Sequence, residues 1–223
     1  MLADDPRTRL IETALDLFGQ YSFDGVSTRM LAERAEVNLA AIKYYFGSKE
    51  GLYLAVAEQI VQHVGQFLGP RMAKVQESLD GDELTKEESF NLLCELLEFF
   101  ITRLLALPET GKWLKIIFRE QLCPTQAFDI LFDGFMRPLD QVLFGLVARI
   151  VGRNEDDLEV RLRVFSIMGQ IQVFNVSPSS IKRTLNWDQY NPDNLEAIRC
   201  VIMDNLNGIF SMSRNGVCSA QTR

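Results

Sequence analysis

The chain has 223 residues, of which 47% are hydrophobic and 24% charged, and its formal net charge is −7. This composition is ordinary for a folded globular protein and excludes wholesale disorder, while the length allows one large domain or two unequal ones. No run approaches the roughly 18 apolar residues of a membrane span, and the start, MLADDPRTRL, has acids where a signal peptide has an apolar segment. We therefore expect a cytoplasmic protein that does not enter a membrane.

The residues that commonly carry chemistry do not form a catalytic or metal-binding set. His63 is the only histidine, and the four cysteines, Cys94, Cys123, Cys200 and Cys218, contain no CxxC pair. The sequence also lacks a glycine-rich phosphate loop and a marked pair of carboxylates. We expect no enzyme activity, no cofactor, no metal site and no disulfide framework.

Apolar residues recur at helical spacing along the whole chain, and no segment keeps the alternation that is typical of strands. The fold class is therefore predicted to be all-α. The first such segment, residues 7–21, predicts an amphipathic helix.

The next segment, STRMLAERAEVNLAAIKYYFGSKE, predicts two short helices joined by a tight turn. Ser27 is a good N-cap for a helix over residues 28–35, and the turn at Glu36 leads to a second helix from Asn38 to about Tyr45. This arrangement is typical of a helix-turn-helix, in which the second helix enters the major groove of DNA. The alternative is that the second helix is one more short helix of a bundle.

The second helix is expected to bury one face and expose another. Val37, Ile42 and Phe46 are predicted to be buried. The outward residues are then Asn38, Leu39, Ala40, Ala41, Lys43 and Tyr44. Small apolar side chains on an exposed face can lie flat against thymine methyl groups. Lys49, just after this helix, is interpreted as a phosphate ligand at the start of the next helix, where free backbone N–H groups attract anions.

The acidic net charge is the main objection to DNA binding, because a basic surface is the usual electrostatic signature. Residues 1–52 contain six Lys or Arg and eight Asp or Glu, so this part also carries −2. However, residues 37–49 contain Lys43 and Lys49 and no carboxylate. We expect this local basic surface to suffice if a dimer presents two copies of it, while the acidic remainder limits non-specific binding.

The order of a helix, a glycine, a Ser-capped helix, a short turn and YYFGSKEGLY at residues 44–53 resembles the tetracycline-repressor (TetR) family of bacterial transcription regulators. The resemblance implies an all-helical homodimer with a DNA-binding domain at 1–52 and an effector-binding and dimerisation domain at 53–213. The polar tail at 214–223 is expected to be disordered. A further likeness, from NLAAIKYYFGSKEGLY and the segment around Trp187 and Tyr190, points to the branch of CecR-type regulators.

The resemblance also assigns DNA contacts by position. It implies backbone or groove-edge contacts for Ser27, Thr28 and Arg29, base reading by Asn38 to Ala41 with Lys43 and Tyr44, and phosphate contacts for Tyr45 and Lys49. The sequence departs from the family at Glu36, where the turn usually has glycine, and at Lys43, where tyrosine is usual. These departures affect the geometry of the turn and the choice of contacted bases or phosphates.

The rest of the chain predicts a long helix from Lys49 that Pro70 ends or kinks, and a helix through Leu107 opened by a capping box of Thr85 and Glu88. Further helices are predicted at 111–122, 125–151 with a bend at Pro138, 156–176, 180–185 and 192–212.

The second domain is rich in aromatic residues with a few glutamines among them. Any single aromatic side chain is also compatible with plain core, whereas a buried glutamine needs hydrogen-bond partners. We predict an apolar pocket for an uncharged or weakly charged effector. The predicted lining is Phe99, Trp113, Phe118, Gln121, Phe132, Met168 and Gln172.

The helices at about 156–176 and 193–212 carry apolar stripes with small residues, Gly169 on one and Ala197 and Gly208 on the other. They fit either intramolecular core or half of a four-helix dimer interface, and the family resemblance favours the dimer. The predicted function is a homodimeric repressor that binds a palindromic operator and is released by a small apolar or aromatic effector. The alternative is an all-helical protein-interaction module that does not bind DNA.

Overall fold

The computed structural model describes residues 5–81, 84–106 and 110–210. Within these ranges the chain forms α-helices, one π-helical turn at Phe132–Met136 and no strand. The α-helices are α1 (Pro6–Gln20), α2 (Thr28–Arg34), α3 (Ala40–Phe46), α4 (Lys49–Asp80), α5 (Lys86–Ala106), α6 (Thr110–Leu122), α7 (Gln126–Leu131), α8 (Arg137–Val151), α9 (Leu158–Val176), α10 (Pro178–Leu185) and α11 (Pro192–Phe210). The predicted all-α fold class is confirmed, and the predicted tail at 214–223 lies outside the described residues.

The helices form two compact units. The first contains the described residues up to Pro70 together with those from 110 to Pro138, and the second contains the rest. These units differ from the predicted boundary after residue 52, because α6 packs along α1. Gly19 permits that packing, since a Cβ there would lie 3.0 Å from the backbone oxygen of Lys112.

Polar contacts accompany the packing of α6 on α1. Lys112 Nζ donates to Asp16 Oδ1 at 2.6 Å, and Arg119 Nη1 donates to the Phe18 carbonyl at 2.9 Å. These residues lie about a hundred positions apart in the sequence, so no local pattern predicts their pairing.

The core of the first three helices contains Leu10, Phe18, Leu31 and Ile42, all almost completely buried. Ser27 caps α2, since its Oγ accepts a hydrogen bond from the Met30 N–H at 3.1 Å. The predicted helix-turn-helix is thus formed by α2 and α3, with ends within one or two residues of the prediction.

The turn between α2 and α3 has an unusual backbone conformation. Glu36 has φ = 53°, in the left-handed region that glycine adopts more readily than any other residue. The Val37 N–H donates to the Ala32 carbonyl at 3.0 Å, and the Arg9 guanidinium donates to the Glu36 carbonyl at 3.5 Å. A non-glycine residue therefore adopts a conformation that glycine favours, at a cost of roughly 1 kcal/mol in backbone strain.

Two prolines lie inside or near helices that continue past them. The prediction was that Pro70 ends or kinks its helix. Pro70 lies within α4, which continues to Asp80, so the helix does not end there. Near Pro138 the chain forms the π-helical turn, closed by a hydrogen bond from the Arg137 N–H to the Phe132 carbonyl. Because proline has no N–H to donate, a regular α-helix would already lack one backbone hydrogen bond at Pro138. The π-helical turn lies next to this position.

The second unit contains α5, α8, α9, α10 and α11 with the end of α4. The predicted capping box is confirmed: the Glu88 N–H donates to Thr85 Oγ1 at 3.2 Å, and Glu88 Oε2 accepts from the Thr85 N–H at 2.9 Å. Arg199 on α11 donates to Glu98 on α5 at 2.7 Å and to Glu196 at 2.6 Å. The bond to Glu98 ties α11 to α5, and the bond to Glu196, one turn earlier on α11, orients the guanidinium.

The segment after α9 is short and locally hydrogen-bonded. Asn186 ends α10 in the left-handed conformation with φ = 55°, and the Tyr190 hydroxyl donates to the Phe174 carbonyl at 2.8 Å. Trp187 and Tyr190 pack edge to face with ring centroids 6.2 Å apart.

No helix in the described ranges is long and apolar enough to cross a membrane. Cys94 and Cys123 are free thiols. Cys200 is disulfide-bonded, so the expectation of no disulfide is wrong at this residue. Cys218 lies outside the described residues.

Candidate nucleic-acid interface

The exposed face of α3 is the clearest candidate for DNA recognition. Of the residues predicted to face outward, Ala41 is half-buried and the other five, Asn38, Leu39, Ala40, Lys43 and Tyr44, are exposed. Tyr44 is 82% exposed and Leu39 is 50% exposed, so this face presents apolar area to the solvent. Ile42 on the opposite face is buried, while Val37 and Phe46 are half-buried.

Local hydrogen bonds fix both ends of α3. Asn38 Oδ1 accepts from the Ala40 N–H at 2.8 Å, so this side chain holds the start of the helix as well as lying on its exposed face. Gly47 ends the helix with φ = 77°, and Ser48 Oγ accepts from the Gly51 N–H at 3.1 Å at the start of α4. Gly51 has no room for a side chain, because a Cβ would lie 2.0 Å from the Phe46 carbonyl oxygen. The joint between α3 and α4 is therefore tightly determined.

Tyr44 and Tyr45 form an aromatic pair at the surface. Their ring centroids lie 4.9 Å apart with the planes at 83°. Both side chains are exposed, so a nucleic-acid backbone can reach them.

The predicted contacts on α2 divide by exposure. Arg29 is exposed, and Thr28 is half-buried. The Ser27 hydroxyl oxygen is engaged as the cap of α2. Ser27 and Thr28 therefore fit the role of positioning the helix as well as that of contacting a phosphate.

Lys49 differs from its predicted role. Its ammonium group does not extend from the start of α4 into solvent but donates to the carbonyls of Phe23 and Val26, at 3.1 Å each. It also lies 4.0 Å from the centroid of the Phe23 ring. The reason is that two carbonyls of the loop before α2 and an aromatic face lie within reach of the side chain, which sequence spacing alone does not reveal.

Arg7 is a candidate contact that the sequence reasoning missed. It is exposed at the start of α1, and its guanidinium carbon lies 5.6 Å from the ring centroid of Phe46, at the end of α3. An arginine in the segment before the helix-turn-helix is the only sequence signal for this placement.

An open groove of about 530 Å³ separates the start of α1 from the exposed face of α3. It is lined by Pro6, Arg9, Glu36, Val37, Asn38, Ala40, Ala41, Tyr44 and Tyr45. Four of the residues that are predicted to read DNA, Asn38, Ala40, Ala41 and Tyr44, thus share one concave surface with α1.

Charges around this surface are mixed. Arg7, Arg29 and Lys43 are exposed, and so are Glu36 and Glu50. The pKa of Glu50 lies below its ordinary value, because its own backbone N–H and the Ser48 side chain donate hydrogen bonds to its carboxylate. Glu50 therefore keeps its negative charge at neutral pH.

The predicted effector-binding residues are divided between the two units. In the first unit, Trp113 packs beside His63 and Phe67 on α4, with centroid distances of 6.4 and 5.8 Å, and Phe132 stacks on Phe128 at 5.6 Å. Phe118 is half-buried. Gln121 is exposed near the end of α6, so the expectation that it is embedded among aromatic side chains is wrong.

In the second unit, Phe99 is buried, and the guanidinium carbon of Arg71 lies 4.0 Å from its ring centroid. Met168 and Gln172 on α9 are half-buried. The effector-binding role of the residues in both units stays a prediction. The residues described by the structure include no group of three or more His, Cys, Asp or Glu arranged to hold a metal ion.

An exposed apolar stripe runs along α9 and is continued on α11. On α9 the buried residues are Val160, Val164, Ile167 and Ile171, which form the inward face. The exposed apolar residues are Leu158, Leu162, Phe165, Val173 and Val176 on α9, and Val201 and Ile209 on α11. Exposed apolar stripes of this length are typical of interaction surfaces.

Two family models match the chain. The model of the C-terminal domain of the HTH-type transcriptional dual regulator CecR matches residues 91–209. The model of the bacterial regulatory proteins of the tetR family matches residues 10–56, which include α2 and α3.

Individual proteins that are similar in sequence are also transcriptional regulators. The HTH-type transcriptional dual regulator CecR of Shigella flexneri is 30% identical over 195 residues, which cover 87% of this chain and 86% of that protein. The regulator RutR of Escherichia coli K12 is 44% identical over 52 residues, 23% of this chain and 24% of that protein.

Solved structures share the fold. HlyIIR, a hemolysin II transcriptional regulator, has a TM-score of 0.57 at 18% identity and covers 88% of this chain and 96% of its own. AmtR of Mycobacterium smegmatis has a TM-score of 0.57 at 17% identity, with 92% and 88% covered.

Proposed function

Because the chain belongs to the TetR family of bacterial transcriptional regulators, with a C-terminal domain of the CecR type, we propose that it is a homodimeric repressor of a palindromic operator. We further propose that a small apolar or aromatic effector releases it from the operator in the cytoplasm. As a DNA-binding regulator it is not an enzyme, and family membership also disfavours an interaction module that never binds DNA.

The observation that carries the proposal is the exposed face of α3. A helix that exposes Leu39 and Tyr44 in water leaves apolar area uncovered, and burial of that area in a groove is favourable. Leu39, Ala40 and Ala41 suit contacts with thymine methyl groups, and Lys43 suits a base edge or a phosphate. Arg7, Arg29 and Tyr45 supply further groups for phosphates.

The apolar stripe on α9 and α11 supports the dimer. A second copy of the chain carries the same stripe, so the two surfaces are self-complementary about a two-fold axis. Gly169 and Gly208 are exposed on these helices, and a Cβ at either position would meet no atom within 4 Å. Small residues there allow the helices of two subunits to approach closely.

A dimer reads a palindrome when its two recognition helices are spaced by one turn of DNA, about 34 Å. An effector that binds more tightly to a conformation with a different spacing of the recognition helices lowers the affinity for the operator. The ratio of the effector's affinities for the two conformations limits the size of this decrease. The aromatic side chains near Trp113 and Phe99 are the sites that we propose for this effector.

Fluorescence anisotropy with DNA from upstream of the protein's own gene tests DNA binding. We expect binding that is specific against unrelated DNA of equal length, and we expect Lys43→Ala to weaken it about tenfold and to reduce the salt slope by about 0.9. Lys74→Ala, an exposed lysine on α4, is the matched control and should bind as the wild type does. Equal affinity for both DNAs would overturn the proposed function.

Analytical ultracentrifugation tests the dimer. Val201 is 61% exposed on α11, and Val201→Glu is expected to convert the dimer to a monomer by placing a carboxylate in an apolar interface. Leu122 is 81% exposed on α6, and Leu122→Glu should leave the dimer intact. A dimer that tolerates Val201→Glu would exclude this interface.

The effector is tested by screening apolar aromatic compounds for release of the bound DNA. A compound that acts as proposed should dissociate the wild-type complex and lose potency in a Trp113→Ala variant that still binds DNA.

A further inference from the structure

Lys49 lies at the point where the helices of the DNA-reading motif meet. It is the first residue of α4, directly after the joint at Gly47 and Ser48 that ends α3. Its Nζ atom donates to the carbonyls of Phe23 and Val26, at 3.1 Å each, in the loop that precedes α2.

The two carbonyls belong to a loop that sets the start of α2. The Val26 N–H donates to the Phe23 carbonyl at 3.3 Å, and Val26 is completely buried. The next residue, Ser27, caps α2. A change in the position of this loop therefore moves the start of α2, against which α3 packs.

The third partner of the ammonium group is the ring of Phe23, whose centroid lies 4.0 Å from Nζ. Phe23 is itself held by Phe18, at 5.7 Å, and Tyr53, at 5.2 Å. An ammonium group has three N–H donors, and two carbonyls with one aromatic face can satisfy all of them. These partners also offset the unfavourable position of a cation at a helix start.

We propose that Lys49 is a positioning residue that fixes the loop before α2 to the first turn of α4, and that it does not bind a DNA phosphate. This inference rests on the proposed DNA-binding function. Through Lys49, the start of α2 is held to the same helix turn that holds the end of α3, so the reading motif moves as one body.

The salt dependence of operator binding distinguishes a positioning residue from a phosphate ligand. Each phosphate contact adds about 0.9 to the slope of log K against log salt, whereas a side chain that only orients the motif changes affinity without changing the slope. Lys49→Met keeps an unbranched apolar stem and removes the donors. Lys43→Met, on the exposed face of α3, is the matched control for a lysine that is predicted to reach DNA.

The wild type is titrated first with the operator fragment. If it does not bind specifically, the proposed function fails and the inference falls with it. If it binds, we expect Lys49→Met, measured well below its melting temperature, to bind about tenfold or more weakly with the wild-type slope. Lys43→Met should lower the slope by about 0.9.

Two results would overturn the inference alone. A slope lowered by about 0.9 in Lys49→Met would identify a phosphate ligand. Wild-type affinity and slope with only a lower melting temperature would identify a residue that stabilises the fold without orienting the motif.

Lys49→Arg keeps the charge and replaces the compact ammonium by a planar fork, so it tests the inference even if Lys49→Met does not fold. A phosphate ligand should tolerate this change, whereas the site between two carbonyls and a ring should not. We therefore expect weaker binding with an unchanged slope, and wild-type affinity would contradict the inference.

Discussion

Removal of the Tyr53 hydroxyl tests how strongly α4 is held to α6. Tyr53 OH donates to Glu120 Oε1 at 2.8 Å, and the N–H and Oγ1 of Thr125 both donate to Glu120 Oε2 at 2.9 Å. Glu120 is only 1% exposed, so its carboxyl group has little access to water. Tyr53→Phe leaves Oε1 without its donor, and the cost of such a loss in a buried site is about 2 kcal/mol.

The expected effect is large enough to measure by thermal denaturation. For a chain of this size, a loss of about 2 kcal/mol lowers the melting temperature by roughly 4–8 °C. Protein concentration must be held constant, because dissociation of a dimer makes the melting temperature concentration-dependent. Tyr21→Phe removes the hydroxyl of an exposed tyrosine and should change the melting temperature little.

The pH dependence supplies a second, independent signature. Burial, together with the hydrogen bond to Glu120, raises the pKa of Tyr53 above its ordinary value. The unfolded chain therefore loses this proton at a lower pH than the folded chain does. The stabilisation is fully present below about pH 10 and declines as the pH rises further. A Tyr53→Phe variant as stable as the wild type at pH 7, or a difference between them that does not shrink above pH 10, would refute the reasoning.

Three further experiments, one of them with a control variant, test other parts of the fold. Gly51→Ala places a Cβ 2.0 Å from the Phe46 carbonyl oxygen and should weaken operator binding at least tenfold, in anisotropy titrations, while ultracentrifugation still finds a dimer. Gly65→Ala, in the same helix with no atom within 4 Å of the added Cβ, should bind normally and gain roughly 0.5–1 kcal/mol in stability; equal binding by both variants would exclude the steric explanation. Burial raises the pKa of Asp140 to about 6, so its contribution to stability is present below about pH 4 and is lost as the pH rises through 6. Asp140→Asn should thus raise the free energy of unfolding at pH 7.5 by about 1 kcal/mol, a value that allows for the partial exposure of this side chain. The melting temperature of the variant should depend less on pH between pH 4 and 7 than that of the wild type. An unchanged pH profile would contradict this assignment to Asp140. Glu36→Gly removes the strain of φ = 53° at a non-glycine residue. The free energy of unfolding, measured in urea, should rise by up to about 1 kcal/mol, reduced by the greater entropy that glycine gives the unfolded chain. A clear loss of stability would show that the glutamate makes a contact that compensates for the strain.

The helices and their caps were accessible from sequence because their determinants are local. The capping box at Thr85 and Glu88 and the cap at Ser27 depend on residues three positions apart. The exposed face of α3 followed from a helical period with Ile42 on the buried side. The family resemblance through YYFGSKEGLY added the DNA-binding role.

The determinants that sequence did not reveal are long-range or backbone-specific. The packing of α6 on α1 depends on Lys112 meeting Asp16, 96 residues earlier, and on the absence of a side chain at Gly19. The hydrogen bonds of Lys49 depend on which carbonyls of the loop before α2 lie within reach of its ammonium group. The sequence left open whether Pro70 ends or kinks its helix. Because a proline removes only one hydrogen bond, α4 continues through it to Asp80.

The apolar stripe on α9 and α11 has a consequence for the response of a regulated gene to the amount of regulator. In the dimer that we propose, two chains must meet before either stripe is covered, so the concentration of assembled regulator rises with the square of the chain concentration while most chains are single. Occupancy of the operator would then change more steeply than the expression level of the protein, and modest changes in synthesis or degradation would switch the gene.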